Sequence, residues 1–246
     1  MKSQERHKLK QNEFATTVLH AREALEARRK DIVWAVVVVL ALLASVGAYA
    51  GWRQSRTNRS TELLATALAV YQSPVVPPAA PAPGSPAPVQ QPGTYMSETA
   101  KLEAALPKFL EAADRYPGTD AGIAARYHAA SILASLGRFA EAEQRYQEVV
   151  AKAGSTIYAR TAKLGLADTQ LAQNKFDSAI NIYTELSRDS SSQMPVDGVL
   201  MQLGRACAKA GRKEEAVRAF TRVTDEFPQS LYASDARKEL EEARKS

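Results

Sequence analysis

The chain has 246 residues, a formal charge of +5 and one cysteine. That length leaves room for one domain of ordinary size beyond any membrane segment, and a single thiol excludes an internal disulfide, so packing alone must hold the fold. The charge does not mark a nucleic-acid-binding protein: Met1 to Glu62 holds eleven Lys or Arg against six Asp or Glu, whereas Met96 to the end holds 21 of each. The excess flanks an apolar stretch, where it sets topology and attracts anionic lipid.

In chain order, residues 5–30 place Leu9, Phe14, Val18, Leu19 and Leu25 at spacings that predict an amphipathic helix bent near Asn12. Residues 1–31 read as a short basic arm, partly helical. Ile32 to Trp52 is 21 residues without an ionisable side chain. At 1.5 Å per residue it covers about 31 Å, the hydrocarbon thickness of a bilayer, and a helix satisfies its backbone groups internally, as lipid requires. Trp34, Tyr49 and Trp52 fall near its ends, where amphipathic rings meet headgroups. A globular helix of this length would show a polar face.

The triplet Ala48-Tyr49-Ala50 fits signal-peptidase cleavage, but the run follows 31 residues of charged chain and exceeds an ordinary signal core, which favours an uncleaved anchor. The cysteine lies at 207, far from the run, which removes a lipid anchor there. Arg28, Arg29 and Lys30 abut the span, opposite Arg53, Arg56 and Arg59. The positive-inside rule then puts the N-terminus in the cytoplasm and the bulk of the chain outside it, in the periplasm for a Gram-negative cell. Gly47 and Gly51 form a GxxxG pair through which two spans would pack as a homodimer, although such pairs also arise by chance in Gly- and Ala-rich spans.

Residues 53–72 read as a helix, with Leu63, Leu64, Leu68 and Tyr71 at three- and four-residue spacing from Thr61 onward. Residues 73–95 read as a linker or loop: Ser73 to Thr94 has eight prolines in 22 residues and no charge, so it forms neither helix nor ladder. Residues 96–246 carry an internal repeat. Alanine recurs every 37 residues at Ala105, Ala142, Ala179 and Ala216. Four residues after each comes an aromatic, Phe109, Tyr146, Tyr183 or Phe220, and three further on Ala112, Val149, Leu186 or Val223. This i, i+4, i+7 stripe predicts one buried helix face. A stop follows at Pro117, Gly154, Ser191 or Pro228. Upstream of the last three stripes, Ala130, Ala167 and Gly204 let a preceding helix pack close, and Gly137, Asn174 and Gly211 supply the turn between the two.

These residues resemble tetratricopeptide repeats in the small residue of the first helix, the turn Gly, the Ala and aromatic of the second helix, and the closing Pro. The resemblance implies an all-α fold, one transmembrane helix followed by a solenoid of helical hairpins. The family period is 34 and here it is 37, which predicts longer loops between repeats. Three full repeats cover about 121 to 230. Thr61 to Gln72 is expected to be the first helix of an additional hairpin whose second helix carries Ala105 and Phe109, and Leu231 to Lys245 a polar cap. The whole arrangement is similar to the YfgM-type proteins, which implies an ancillary role at the SecYEG translocon with extracytoplasmic chaperones as partners. The C-terminal repeats also resemble those of the cell division coordinator of the Tol-Pal system and of the Bam-complex lipoprotein, the latter departing at the missing lipid-bearing cysteine.

No catalytic constellation emerges. His7 and His20 precede the span and His128 follows it, so no histidine cluster forms on one side, and no phosphate-binding or dinucleotide motif, HExxH or paired Cys is present. No cofactor or metal is expected, and an enzyme is the weakest of the readings. Cys207 reads as a core residue. A repeat solenoid offers a concave surface lined by first helices. Carrying the family's groove positions over gives Tyr127, Ser131, Asp168, Leu171, Met201, Arg205 and Lys209, a mixture suited to a peptide. The expected role is a scaffold for protein partners, with an envelope-assembly or cell-division coordinator as the alternative.

Overall fold

The computed structural model describes residues 28–77, 91–154, 156–188 and 194–245. Most of the basic arm, the middle of the proline segment and the stop at Ser191 lie outside them. The described residues are helical: α1 Arg29–Tyr71, α2 Glu98–Arg115, α3 Asp120–Ser135, α4 Phe139–Lys152, α5 Ile157–Ala172, α6 Phe176–Arg188, α7 Val196–Lys209, α8 Lys213–Glu226 and α9 Ala233–Lys245. No strand forms among them; Val75 and Tyr95 make one isolated bridge.

The chain divides at Ser55 into two units. The first contains the apolar part of α1, a helix long and apolar enough to cross a membrane. Large side chains face outward along it, Trp34 at 69% and Leu43 at 63% exposure among them. Nothing in residues 53–60 breaks a helix, so α1 runs on to Tyr71, where Pro74 prevents continuation. The ends of the proline segment are clasped together: the Val76 N–H donates to the Tyr95 carbonyl at 2.8 Å and the Tyr95 N–H to the Pro74 carbonyl at 3.1 Å. Residues 74–76 and Tyr95 therefore lie side by side.

From Arg56 onward the helices stack in sequence, each of α2 to α9 packing on the next, with α3 also touching α5. Short capping signals set the starts. Ser97 and Thr119 accept from the Ala100 and Gly122 N–H groups, satisfying first-turn donors of α2 and α3. The hairpin turns share one geometry at 37-residue intervals. Gly137, Asn174 and Gly211 have φ of 75°, 59° and 72°, and the following N–H groups of Arg138, Lys175 and Arg212 reach back to the carbonyls of Leu133, Gln170 and Cys207. That is the Schellman closure, which needs a left-handed residue; Asn174 shows the tolerance that lets it stand for glycine. The longer period is not taken up by loops alone. Four residues link α2 to α3 and α4 to α5, while α3 and α5 are 16 residues each.

The repeat-defining residues Ala105, Phe109, Ala142, Tyr146, Ala179, Tyr183, Ala216 and Phe220 are all buried, none above 5% exposure. They belong to two clusters that meet within α5 at Leu166 and Ala167, with Ile182 packed against both. Alanines make up much of the first cluster, so the helices approach closely and the few large rings fill what space remains. Cys207 is fully buried in the second cluster, and burial pushes its thiol up to about 11. Ala67 near the end of α1 is also fully buried, and the Tyr71 ring meets Phe109 edge-on at 6.0 Å.

Charged side chains staple neighbouring hairpins. Arg126, 3% exposed, donates to the Ala113 carbonyl at 2.9 Å and pairs with Glu148 at 2.8 Å. Glu143 accepts from Gln170, Gln173 and Lys175, tying α4 to α5 and to the turn beyond it. Burial alone would raise its pKa, but these hydrogen bonds outweigh that and hold it below the usual glutamate value. Its contribution to stability is therefore present above the unfolded glutamate pKa and lost as the pH falls through the folded one. Glu143→Gln is expected to cost about 1–2 kcal/mol at neutral pH and to flatten the stability profile on the acid side, measured by urea unfolding at neutral pH and in acid.

A side chain on Gly204 would overlap the Phe220 ring, which is itself packed in the core, and one on Gly122 would overlap the Tyr116 carbonyl. Gly204→Ala and Gly122→Ala are each expected to destabilise the stack by about 1–3 kcal/mol, read from the same unfolding curves.

Candidate interaction groove

The first helices of the hairpins, α3, α5 and α7, present residues at equivalent repeat positions. Ser131, Asp168 and Arg205 are 37 residues apart, as are the second-helix aromatics Tyr146, Tyr183 and Phe220. In the first hairpin Tyr146 and Ser131 line one cavity, and in the second the Tyr183 hydroxyl donates to Asp168 Oδ1 at 2.5 Å. Phe220 has no hydroxyl, so Arg205 turns instead to Glu239 of α9, at 2.8 and 2.6 Å through Nε and Nη2.

Of the expected groove residues, Tyr127, Ser131 and Leu171 are half-buried and Asp168 and Lys209 exposed. Arg205 is half-buried, and its guanidinium is held by α9. Met201 is a correction. At 1% exposure it packs in the second core cluster and offers no surface, because α7 turns that face toward its neighbours.

Around Tyr127 the structure assembles more aromatic surface than the repeat pattern marked. The ring lies 5.7 Å from Tyr158, 6.0 Å from Tyr146 and 5.6 Å from His128. His128 in turn stacks on Phe109 at 5.1 Å and meets Tyr71 at 6.0 Å. Tyr71, His128, Tyr127 and Tyr158 are all half-buried, so they form a partly open row across α1, α3 and α5. Tyr71 was legible from its spacing with Leu68. His128 and Tyr158 lie off the repeated stripe, and only the packing brings them in.

The electrostatics follow from partial enclosure. Burial lowers the His128 pKa, keeping the ring neutral among its aromatic neighbours. Burial raises Tyr127, against a side-chain hydrogen bond with Thr161, and lifts Tyr146 to about 12. Asp168 is raised above the ordinary carboxylate value, chiefly by burial, with the Tyr183 hydrogen bond pulling the other way. Among the described residues no group of three or more His, Cys, Asp or Glu is placed to hold a metal ion. A cavity of about 250 Å³ opens between α3, α4 and α5, lined by Ser131, Phe139, Tyr146, Gly165 and Asp168 among others. Removing the hydroxyl in Tyr183→Phe takes away the bond that favours the ionised Asp168, so its pKa is expected to rise further, read by an NMR titration of the side-chain carboxyl carbon.

A family model described as a tetratricopeptide repeat-like domain matches residues 27–230. No curated protein matches the chain. Among solved structures it is similar to a Podosopora anserina putative kinesin light chain of nearly identical TPR-like repeats, with a TM-score of 0.52 at 15% identity over 59% of this chain and 78% of that one. A point variant of that protein gives the same values. A tetratricopeptide repeat protein from Parabacteroides merdae gives 0.50 at 17% identity over 59% of this chain and 54% of that one. At such identities the likeness is one of fold.

Proposed function

The chain belongs to the tetratricopeptide repeat-like family, and we propose that it is a membrane-anchored scaffold without catalytic activity that holds protein partners outside the cytoplasm. The observation that carries this is the half-open aromatic row Tyr71, His128, Tyr127 and Tyr158, beside the polar positions Ser131 and Asp168. Large rings with restricted rotamers and polar edges are the groups that dominate protein interfaces, since they bury much area at low entropic cost. A groove of this kind takes an extended or helical segment of a partner.

Anchoring rests on α1. Its apolar stretch is unburied, carries Tyr49 and Trp52 in ring contact at 6.0 Å near one end, and begins beside Arg28, Arg29 and Lys30. Positive charge at that end places the short arm in the cytoplasm and the repeats on the other side, the periplasm in a Gram-negative cell. The last turns of α1, from Thr61, act as the first helix of an additional hairpin with α2, a reading supported by the burial of Ala67 and the edge-on contact of Tyr71 with Phe109. Residues 73–95 are then a loop inserted within that hairpin, and α9 caps the other end. The arm, span and extracytoplasmic repeats in this order favour a YfgM-type role beside the SecYEG translocon and envelope chaperones. Pairing of two chains through Gly47 and Gly51 is compatible with the exposure of both.

The test is photo-crosslinking in native membranes from the full chain carrying a photoreactive residue in place of Tyr158. Adducts with translocon subunits or envelope chaperones are the expected result. Adducts confined to division or envelope-assembly proteins, together with a mature chain shortened after Ala50, would replace this reading by that of a released coordinator.

A further inference from the structure

We propose that the groove receives a basic segment of its partner, with a lysine or arginine side chain seated against Asp168 in the cavity between α3, α4 and α5. This rests on the scaffold reading and adds the chemistry of the occupant. The cavity, about 250 Å³, is smaller than the ~300–1,000 Å³ of small-molecule sites, a size for one side chain and not for a metabolite. One of its walls is the Tyr146 ring, which lies where a side chain on Gly165 would project. Its walls are one carboxylate, the hydroxyls of Ser131 and Thr169, and the rings of Phe139 and Tyr146.

The carboxylate has no counter-ion. Among the described residues the polar partner of Asp168 is the neutral Tyr183 hydroxyl, and no lysine or arginine pairs with it. Four other carboxylates in the same stack are ion-paired, Glu143 with Lys175, Glu148 with Arg126, Glu185 with Lys163 and Glu239 with Arg205, whereas Asp197, like Asp168, is met by a neutral hydroxyl, that of Ser230. Asp168 also bears on Tyr127, Tyr146 and Tyr183, whose phenol ionisation its charge opposes. A partly enclosed carboxylate ringed by aromatic side chains is attractive to an ammonium or guanidinium on two counts, the charge itself and the negative faces of the rings. An acidic side chain in the same place would meet the like charge of Asp168. Two periods beyond Asp168, Glu242 lines a second cavity of about 470 Å³ with Asp235 and Glu239, beside Lys238. The equivalent position between them, Arg205, has its charge already met.

The experiment uses the full chain in detergent micelles and a panel of fluorescein-labelled peptides of about fifteen residues. The peptides share one Gly, Ala and Leu frame and carry lysine, arginine, norleucine or glutamate at the central positions. Anisotropy is expected to show the lysine and arginine peptides binding about tenfold more tightly than the norleucine peptide, with the glutamate peptide weakest. Asp168→Asn, which keeps the size of the side chain, should remove that preference, while Tyr127→Ala should weaken every peptide. Circular dichroism melting confirms that both variants remain folded. Equal binding of basic and neutral peptides, a preference that survives Asp168→Asn, or binding of none of the panel overturns the inference. If charge is without effect but Tyr127→Ala still weakens binding, the groove stands and only its preference is wrong. If peptides bind and Tyr127→Ala changes nothing, the groove reading falls as well.

Discussion

The stack depends on a closure in which the aromatic ring of a second helix fits against a first helix, in two places over a glycine. Tyr146 lies over Gly165 of the next hairpin, and Phe220 over Gly204 of its own. At the equivalent of Gly165 one repeat earlier stands His128, and there the ring of Phe109 stacks on the imidazole instead of filling a gap. A ring of this size loses much of its burial if the neighbouring helix leaves, so each hairpin is stable only in company. Alanines at 105, 142, 179 and 216 bring the helix axes near enough for the closure to work. The core is therefore a line of contacts along the stack, which is why its two clusters join at adjacent residues of α5.

This closure is what a one-dimensional pattern can reveal. Every repeat-defining residue carries a steric duty that recurs at the same interval, so the buried helix stripe was legible from spacing and the hairpin architecture from the resemblance that the spaced residues carry. The turn was equally legible, since a left-handed residue is demanded at one position and only Gly or Asn meets the demand cheaply. What spacing could not supply was the surface. Met201 stands two repeat periods from Tyr127, which is what marked it for the groove; its packing on α7 with Leu200 and Cys207 in the second cluster decides that it points inward. Tyr158 becomes a neighbour of Tyr127, and His128 a neighbour of Phe109 and Tyr71, through the packing of helices, which no periodicity encodes. The clasp between Pro74, Val76 and Tyr95 was invisible for a related reason: it joins backbone groups, and backbone hydrogen bonds leave no trace in side-chain identity.

The small residues that close the core also shape the outside. Where Gly165 admits the Tyr146 ring, that ring lines a cavity together with Ser131 and Asp168. One repeat on, the Tyr183 hydroxyl donates to Asp168. The second-helix tyrosines thus serve two regions at once. Their rings belong to the core and their hydroxyls to the groove, so core packing fixes the position of the groove's polar groups to within a hydrogen bond.

Loss of the hydroxyl in the third repeat shows how this arrangement ends. Phe220 fills its place in the core without offering a donor, and the first-helix position above it carries Arg205 in place of a small hydroxyl or a carboxylate. A guanidinium needs acceptors, and α9 provides one in Glu239, so the third hairpin commits its groove side chain to joining the terminal helix. The change from Tyr to Phe and the change from Asp to Arg are consistent with each other: a tyrosine hydroxyl beside a guanidinium would have to accept where it elsewhere donates. Polar groups at the repeated groove position are therefore left to a partner at Ser131 and Asp168, in the hairpins nearest the aromatic row, while Arg205 at the far end is committed to α9.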